Sequence, residues 1–250
     1  MTLSQEDIRE FIRLISERSR YDFSNYSEKS FTRRIERILV DQRISFEALK
    51  KKIRKDDDYL HDVVRSITVN TTELFRDPKV WHTVKYRIIP SLDHQNKINV
   101  WHARVSNGQE LYSMLILLSE AGIMDRVNIF GTDINNEVLE TARKGVYKYR
   151  NNMEYVDNYN KVVRQNPYNY EEYYDIPYSN YFTVDKNKDT ISMKPFLTNK
   201  PVFLWHDLVK NNNIFQTKFD IIFCRNVLIY FTSELQNRIL QMFYDRSEER

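Results

Sequence analysis

The stretch Lys97-Ile-Asn-Val-Trp-His-Ala-Arg-Val-Ser-Asn-Gly-Gln-Glu-Leu-Tyr-Ser-Met-Leu-Ile-Leu-Leu118 decides the reading of the fold. Ile98, Val100 and Trp101 form a short apolar run, and the small and polar residues from Ala103 to Gly108 interrupt it. Leu111, Met114, Leu115 and Leu118 then recur at helical spacing. The order is strand, turn, helix. In an open parallel sheet such a turn lies outside the carboxyl end of its strand, where ligands collect and a helix N-terminus offers unpaired N–H groups. Gly108 lets a ligand approach the backbone closely, although any strand-to-helix turn can hold one glycine.

Downstream, Val127-Asn-Ile-Phe-Gly-Thr-Asp-Ile134 reads as a second strand, and Val138, Leu139 and Ala142 mark the helix after it. Asp133 ends that strand, 25 residues beyond Gly108. In nucleotide-binding α/β folds an acidic residue there accepts hydrogen bonds from ribose hydroxyls; it could equally cap the next helix. Residues 147–200 differ in composition, with eight tyrosines between Tyr155 and Tyr181. Within them, Tyr181-Phe-Thr-Val184 and Thr190-Ile-Ser-Met193 predict a hairpin. The sheet resumes at Val202-Phe-Leu-Trp-His-Asp-Leu208 and at Phe219-Asp-Ile-Ile-Phe-Cys-Arg-Asn-Val-Leu-Ile-Tyr-Phe231. Ser106, Gly108, Asp133, Asp207, Arg225 and Asn226 thus converge on one sheet edge.

Upstream, four amphipathic patterns fill residues 1–66 and predict a helical N-terminal domain; residues 67–250 form the α/β domain, with an inserted subdomain at about 147–200. Ser4 and Asp7 open the first helix as a capping box. Residues 1–66 carry 15 basic and 13 acidic side chains. Arg33, Arg34 and Arg37 cluster away from the apolar stripe of the second helix, as a solvated face or as a docking face for an acidic partner helix.

The 250 residues carry a net charge of +3, too balanced to argue for nucleic acid. No apolar run approaches the roughly 18 residues of a membrane helix, and no basic-then-apolar leader opens the chain. A single cysteine, Cys224, rules out a disulfide framework or a cysteine-based zinc cluster within one chain. A cytoplasmic, monomeric protein without a metal is expected.

Five stretches resemble the CheR-type chemotaxis receptor glutamate methyltransferases. Asn70-Thr-Thr-Glu-Leu-Phe-Arg-Asp-Pro78 is similar to that family's N-x-T-x-F-F-R segment, and Trp101 to Ser113 to its W-S-A-G/A-x-S-x-G-E-E-P-Y-S loop. Gly131-Thr-Asp-Ile134, His206-Asp-Leu208 and Phe219 to Phe231 resemble the later motifs. The resemblance implies a Rossmann-like S-adenosylmethionine-dependent methyltransferase sheet of seven strands, preceded by a small all-α domain and carrying an inserted small β or irregular subdomain. It implies that Asn70, Thr72, Arg76, Glu110, Asp133, Asp207, Leu208, Arg225 and Asn226 line the S-adenosylmethionine site, with Tyr230 near the transferred methyl. Asp133 would hold the ribose, with Asp207 and Leu208 beside the adenine. Ser106 and Gly108 join the cofactor set from their place in the central turn. The helical domain would contact a methyl-accepting chemoreceptor through Arg33, Arg34 and Arg37, and S-adenosylhomocysteine would be the product.

A glutamate side chain, with a reference pKa of about 4.3, is ionised at neutral pH. Methyl transfer to it needs no general base. It needs in-line positioning and a cation that orients the carboxylate, for which Arg76 and Arg225 are the candidates. The central loop departs from the family pattern: Arg104 stands in place of Gly or Ala, Asn107 in place of Thr, Gln109 in place of the first Glu and Leu111 in place of Pro. Arg104 either blocks the pocket or points outward. The alternative function is a non-catalytic protein-binding module that has lost turnover or cofactor binding. A nucleic-acid methyltransferase fits less well, because Cys224-Arg-Asn226 stands where the N/D-P-P-Y/F segment belongs and no proline precedes Cys224. No G-x-G-x-x-G follows the first strand, which argues against a dehydrogenase.

Overall fold

A computed structural model describes residues 3–68, 72–152, 154–210 and 214–247. Four helices come first: α1 (Gln5–Arg18), α2 (Glu28–Gln42), α3 (Phe46–Ile53) and α4 (Asp57–Thr68). Then follow α5 (Pro78–Thr83), a π-helical turn (Val84–Ile88), α6 (Ile89–Ser91), β1 (Ile98–Ala103), α7 (Gln109–Glu120), β2 (Val127–Asp133) and α8 (Asn136–Lys144). The inserted region holds β3 (Val146–Lys148), α9 (Glu154–Tyr159), β4 (Phe182–Asp185), β5 (Thr190–Met193) and α10 (Pro195–Thr198). β6 (Val202–Trp205), β7 (Ile221–Phe223) and α11 (Ser233–Arg246) complete the order.

The chain divides into two compact units. The first comprises residues 1–70, 208–211 and 225–245, the second residues 71–207, 212–224 and 246–250. In the first, the predicted capping box is present: Ser4 Oγ accepts from the Asp7 N–H and the Asp7 carboxylate accepts from the Ser4 N–H. Ser45 caps α3 by a single bond, its side chain accepting from the Ala48 N–H. The amphipathic stripes meet in an aromatic core, where Phe11 lies 5.4 Å from Phe46 and Phe23 lies 5.3 Å from Phe31. Leu235 and Ile239 of α11 are buried, and an antiparallel bridge joins Tyr26 to Phe231, whose rings meet edge-on at 5.0 Å.

In the second unit four parallel strands run in the order β6-β2-β1-β7. The resemblance implies seven strands. Among the described residues the chain leaves β7 for a 3₁₀ turn and α11, and the edge beyond β7 carries only an isolated parallel bridge between Phe219 and Ser247. Helix α7 is buried all round from Leu111 to Leu118, whereas α8 buries only the face of Val138, Leu139 and Ala142. The predicted hairpin is β4–β5, and β3 adds to it as a third antiparallel strand. Tyr155 and Tyr159 of the tyrosine-rich stretch are fully buried, whereas Tyr168, Tyr170 and Tyr173 are exposed. No helix among the described residues is long and apolar enough to cross a membrane.

Candidate active site

The turn from β1 to α7 is tightly wound, with positive φ at Arg104 (63°), Ser106 (52°) and Gly108 (90°). The Val105 N–H donates to the Thr132 carbonyl at 2.8 Å, a backbone bond two residues past the end of β1 that seats the turn on the end of β2. Two chain features lock it further. The Tyr147 hydroxyl donates to the Asn107 carbonyl at 2.8 Å, and the Gln109 amide donates to the Tyr155 hydroxyl at 2.6 Å. Gly108 is needed for packing as well as for its φ: a Cβ there would lie 2.8 Å from Ala142 Cβ in α8.

Asp133 is buried at the carboxyl end of β2. One carboxylate oxygen accepts from the Ser106 N–H and the other from the Asn135 N–H, both at 3.0 Å. The helix cap is Asn135, whose side chain accepts from the Glu137 N–H, so Asp133 serves the turn and not the helix end. The Asp133 carbonyl accepts from the His206 N–H at 3.0 Å, which brings the neighbouring Asp207, also buried, to the same strand ends. Arg104 turns inward, its side chain only 9% exposed and its Nε 3.8 Å from Asp133 Oδ2. Of the two orientations open from sequence, this one places the cation on the expected ribose carboxylate. Glu110, in the first turn of α7, pairs with the buried His102 ring at 3.2 Å, and that ring stacks on Phe223. Burial pushes the Cys224 thiol up to about 12, with Arg104 pulling the other way, which disfavours its thiolate at neutral pH.

The Arg76 segment is held from α7. Phe75, at φ 53°, donates its N–H to Ser113 Oγ at 2.8 Å, and the Trp81 indole N–H donates to the Arg76 carbonyl at 2.9 Å. Thr72, Arg76, Ser106, Gly108, Glu110, Asp133 and Asp207 therefore belong to the second unit. Leu208, Arg225, Asn226 and Tyr230 belong to the first, together with Arg33, Arg34 and Arg37. Asn70 lies outside the described residues. Arg33 and Arg37 are exposed, but Arg34, expected beside them, is buried, with its guanidinium 4.3 Å from the centre of the Tyr230 ring. Sequence reasoning missed this stacking, the His102–Glu110 pair and the direction of Arg104.

The carboxylates of Asp133, Asp207 and Glu110 suit a ligand rich in hydroxyl and ammonium donors, and Arg76 suits its carboxylate. That donor set fits S-adenosylmethionine, provided that Arg104 shares Asp133 with the ribose. Among the described residues no group of three or more His, Cys, Asp or Glu side chains is arranged to hold a metal ion.

Comparison with known proteins gives the family. The family description "CheR methyltransferase, SAM binding domain" matches residues 70–249, and "CheR methyltransferase, all-alpha domain" matches residues 6–68. The chain is 33% identical over 240 residues to Cher3 of Pseudomonas putida, covering 96% of this chain and 83% of that one. It is 29% identical over 244 residues to a chemotaxis protein methyltransferase of Listeria innocua, covering 96% of this chain and 85% of that one. For the chemotaxis protein methyltransferase of Borreliella burgdorferi the figure is 27% over 241 residues, covering 88% and 76%. Fold and family match thus define an S-adenosylmethionine-binding methyltransferase domain preceded in sequence by an all-α domain. The chain belongs to the CheR methyltransferase family and carries both of the family's domains.

Proposed function

We propose that this chain methylates glutamate side-chain carboxylates of a methyl-accepting chemoreceptor, acting in the cytoplasm as a monomer. The observation that carries the reading is the Asp133 carboxylate, fixed at the strand ends by the Ser106 and Asn135 N–H groups in a chain with both family domains. S-adenosylmethionine, when bound, supplies an electrophilic methyl to an acceptor that is already ionised. Asp133 holds the ribose, Asp207 and Leu208 flank the adenine, and Ser106, Gly108 and Glu110 shape the central turn around the ligand. Asn70, Thr72 and Asn226 complete the cofactor lining. Arg76 and Arg225 orient carboxylates without protonating them, one for the cofactor and one for the substrate, because a guanidinium stays charged and offers a bidentate fork. Tyr230 lies near the methyl in transit. Arg33 and Arg37 dock the acidic receptor.

The test is transfer of a labelled methyl group to receptor-bearing membranes. A methyl ester releases its label as methanol in mild base; a base-stable product, or no transfer at all, would overturn the proposal. Arg225→Ala is expected to abolish turnover while the melting temperature stays within a few degrees of wild type. Near-normal transfer by that variant would remove the carboxylate-orienting role from Arg225.

A further inference from the structure

Arg34 is the odd member of its trio. Arg33 and Arg37 reach solvent, whereas Arg34 is 8% exposed and its Nη1 finds no hydrogen-bond partner among the described residues. Burial pushes its pKa down from the ordinary arginine value, and Tyr230 opposes that shift. A cation in such a place is of no use for capturing a partner at long range. What it does touch is the face of Tyr230, with the guanidinium carbon 4.3 Å from the ring centre. The two residues line one cleft of about 700 Å³, together with Arg33, Arg37, Asp41 and Ser66.

The Tyr230 backbone is pinned independently of this contact. Its N–H donates to the Val227 carbonyl at 3.1 Å, its carbonyl accepts from the Ser27 N–H at 2.8 Å, and the next residues bridge to the segment before α2. These bonds fix where the side chain starts and leave its two χ angles to be set by packing. The Arg34 guanidinium over the ring is a packing contact able to set them.

We propose that Arg34 is a positioning residue for Tyr230, orienting the phenol for methyl transfer, and is not part of the receptor-docking face. The inference rests on the reading of Tyr230 as a member of the methyl-transfer machinery. Steady-state kinetics of Arg34→Leu, Arg34→Lys, Tyr230→Leu and the Arg34→Leu/Tyr230→Leu double variant, with intact receptor membranes, test it. Arg34→Leu should lower kcat about tenfold and change KM for receptor less than twofold, Arg34→Lys should recover part of the loss, and the double variant should be no slower than Tyr230→Leu alone. A rise in KM at unchanged kcat would make Arg34 a docking residue, and losses that add in the double variant would make it a general structural one; either overturns the inference. Full kcat in Tyr230→Leu would instead sink the reading of Tyr230 itself. A second readout needs no turnover. In protein labelled with 3-fluorotyrosine, the Tyr230 resonance, assigned by its loss in Tyr230→Phe, should shift in Arg34→Lys, and an unmoved resonance would count against the contact. Should Arg34→Leu fail to fold, Arg34→Lys and Arg34→Gln carry the same tests.

Discussion

At Asp133 the carboxylate already has three neighbours from its own chain: the Ser106 and Asn135 N–H groups at 3.0 Å and the Arg104 Nε at 3.8 Å. A carboxylate offers about four lone-pair sites, so a ribose hydroxyl can still be accepted, but the guanidinium holds part of the space. Arg104 also sits at φ 63°, a conformation that costs a non-glycine residue roughly 1–2 kcal/mol. Arg104→Gly removes the competitor and relaxes the backbone. It should tighten S-adenosylhomocysteine binding about tenfold, or ~1.4 kcal/mol, by titration calorimetry; unchanged affinity would mean that Arg104 stands clear of the ligand. The sequence marked Arg104 as foreign to the loop without giving its direction, because that direction depends on a backbone angle which composition and spacing do not specify. Arg34 was misplaced for a related reason. Arg33 and Arg37, four residues apart, share a face of α2, but one step along the helix turns a side chain by about 100°, enough to carry Arg34 from solvent to the interior.

Among elements, the contact between the β1–α7 turn and α8 shows what Gly108 is for. Its Cβ would meet Ala142 Cβ at 2.8 Å and Cα at 3.2 Å, and its φ of 90° disfavours any side chain. Gly108→Ala combines left-handed strain with overpacking, together about 2–5 kcal/mol. Denaturant unfolding should show a loss in that range, and a loss under about 1 kcal/mol would mean that α8 yields easily. Elements with a long, regular apolar period were legible: α1 to α4, α7, α8 and the β4–β5 hairpin. Strand β3 was not, since three residues alternating exposed, buried, exposed carry too little period to separate from a loop. Helix α9 was hidden because its buried Tyr155 and Tyr159 belong to a stretch that also holds the exposed Tyr168, Tyr170 and Tyr173, and one residue type served both environments.

For the molecule as a whole, a net charge of +3 leaves recognition to local groups. Arg33 and Arg37 are exposed, and Arg37 pairs with Asp41 at 3.5 Å in a surface ion pair of little strength. Reversing both charges should weaken receptor binding roughly tenfold at low salt, with the difference shrinking as ionic strength rises; equal affinity at every salt would place docking elsewhere. The division into a helical part and an α/β part was legible from the change in periodicity, and the family from five short motifs. The four strands of the parallel sheet were each legible as short apolar runs, but their order β6-β2-β1-β7 was not, because pairing depends on partners far along the chain. That distance has a consequence during synthesis. Strand β1 is paired on one side by β2, close behind it, and on the other by β7, with Val100 matched to Ile221. The second side cannot close until 121 more residues have left the ribosome, so α7, whose residues from Leu111 to Leu118 are all buried in the finished fold, waits beside an unfinished sheet. A nascent chain of this kind is a natural client for a chaperone that shields hydrophobic segments.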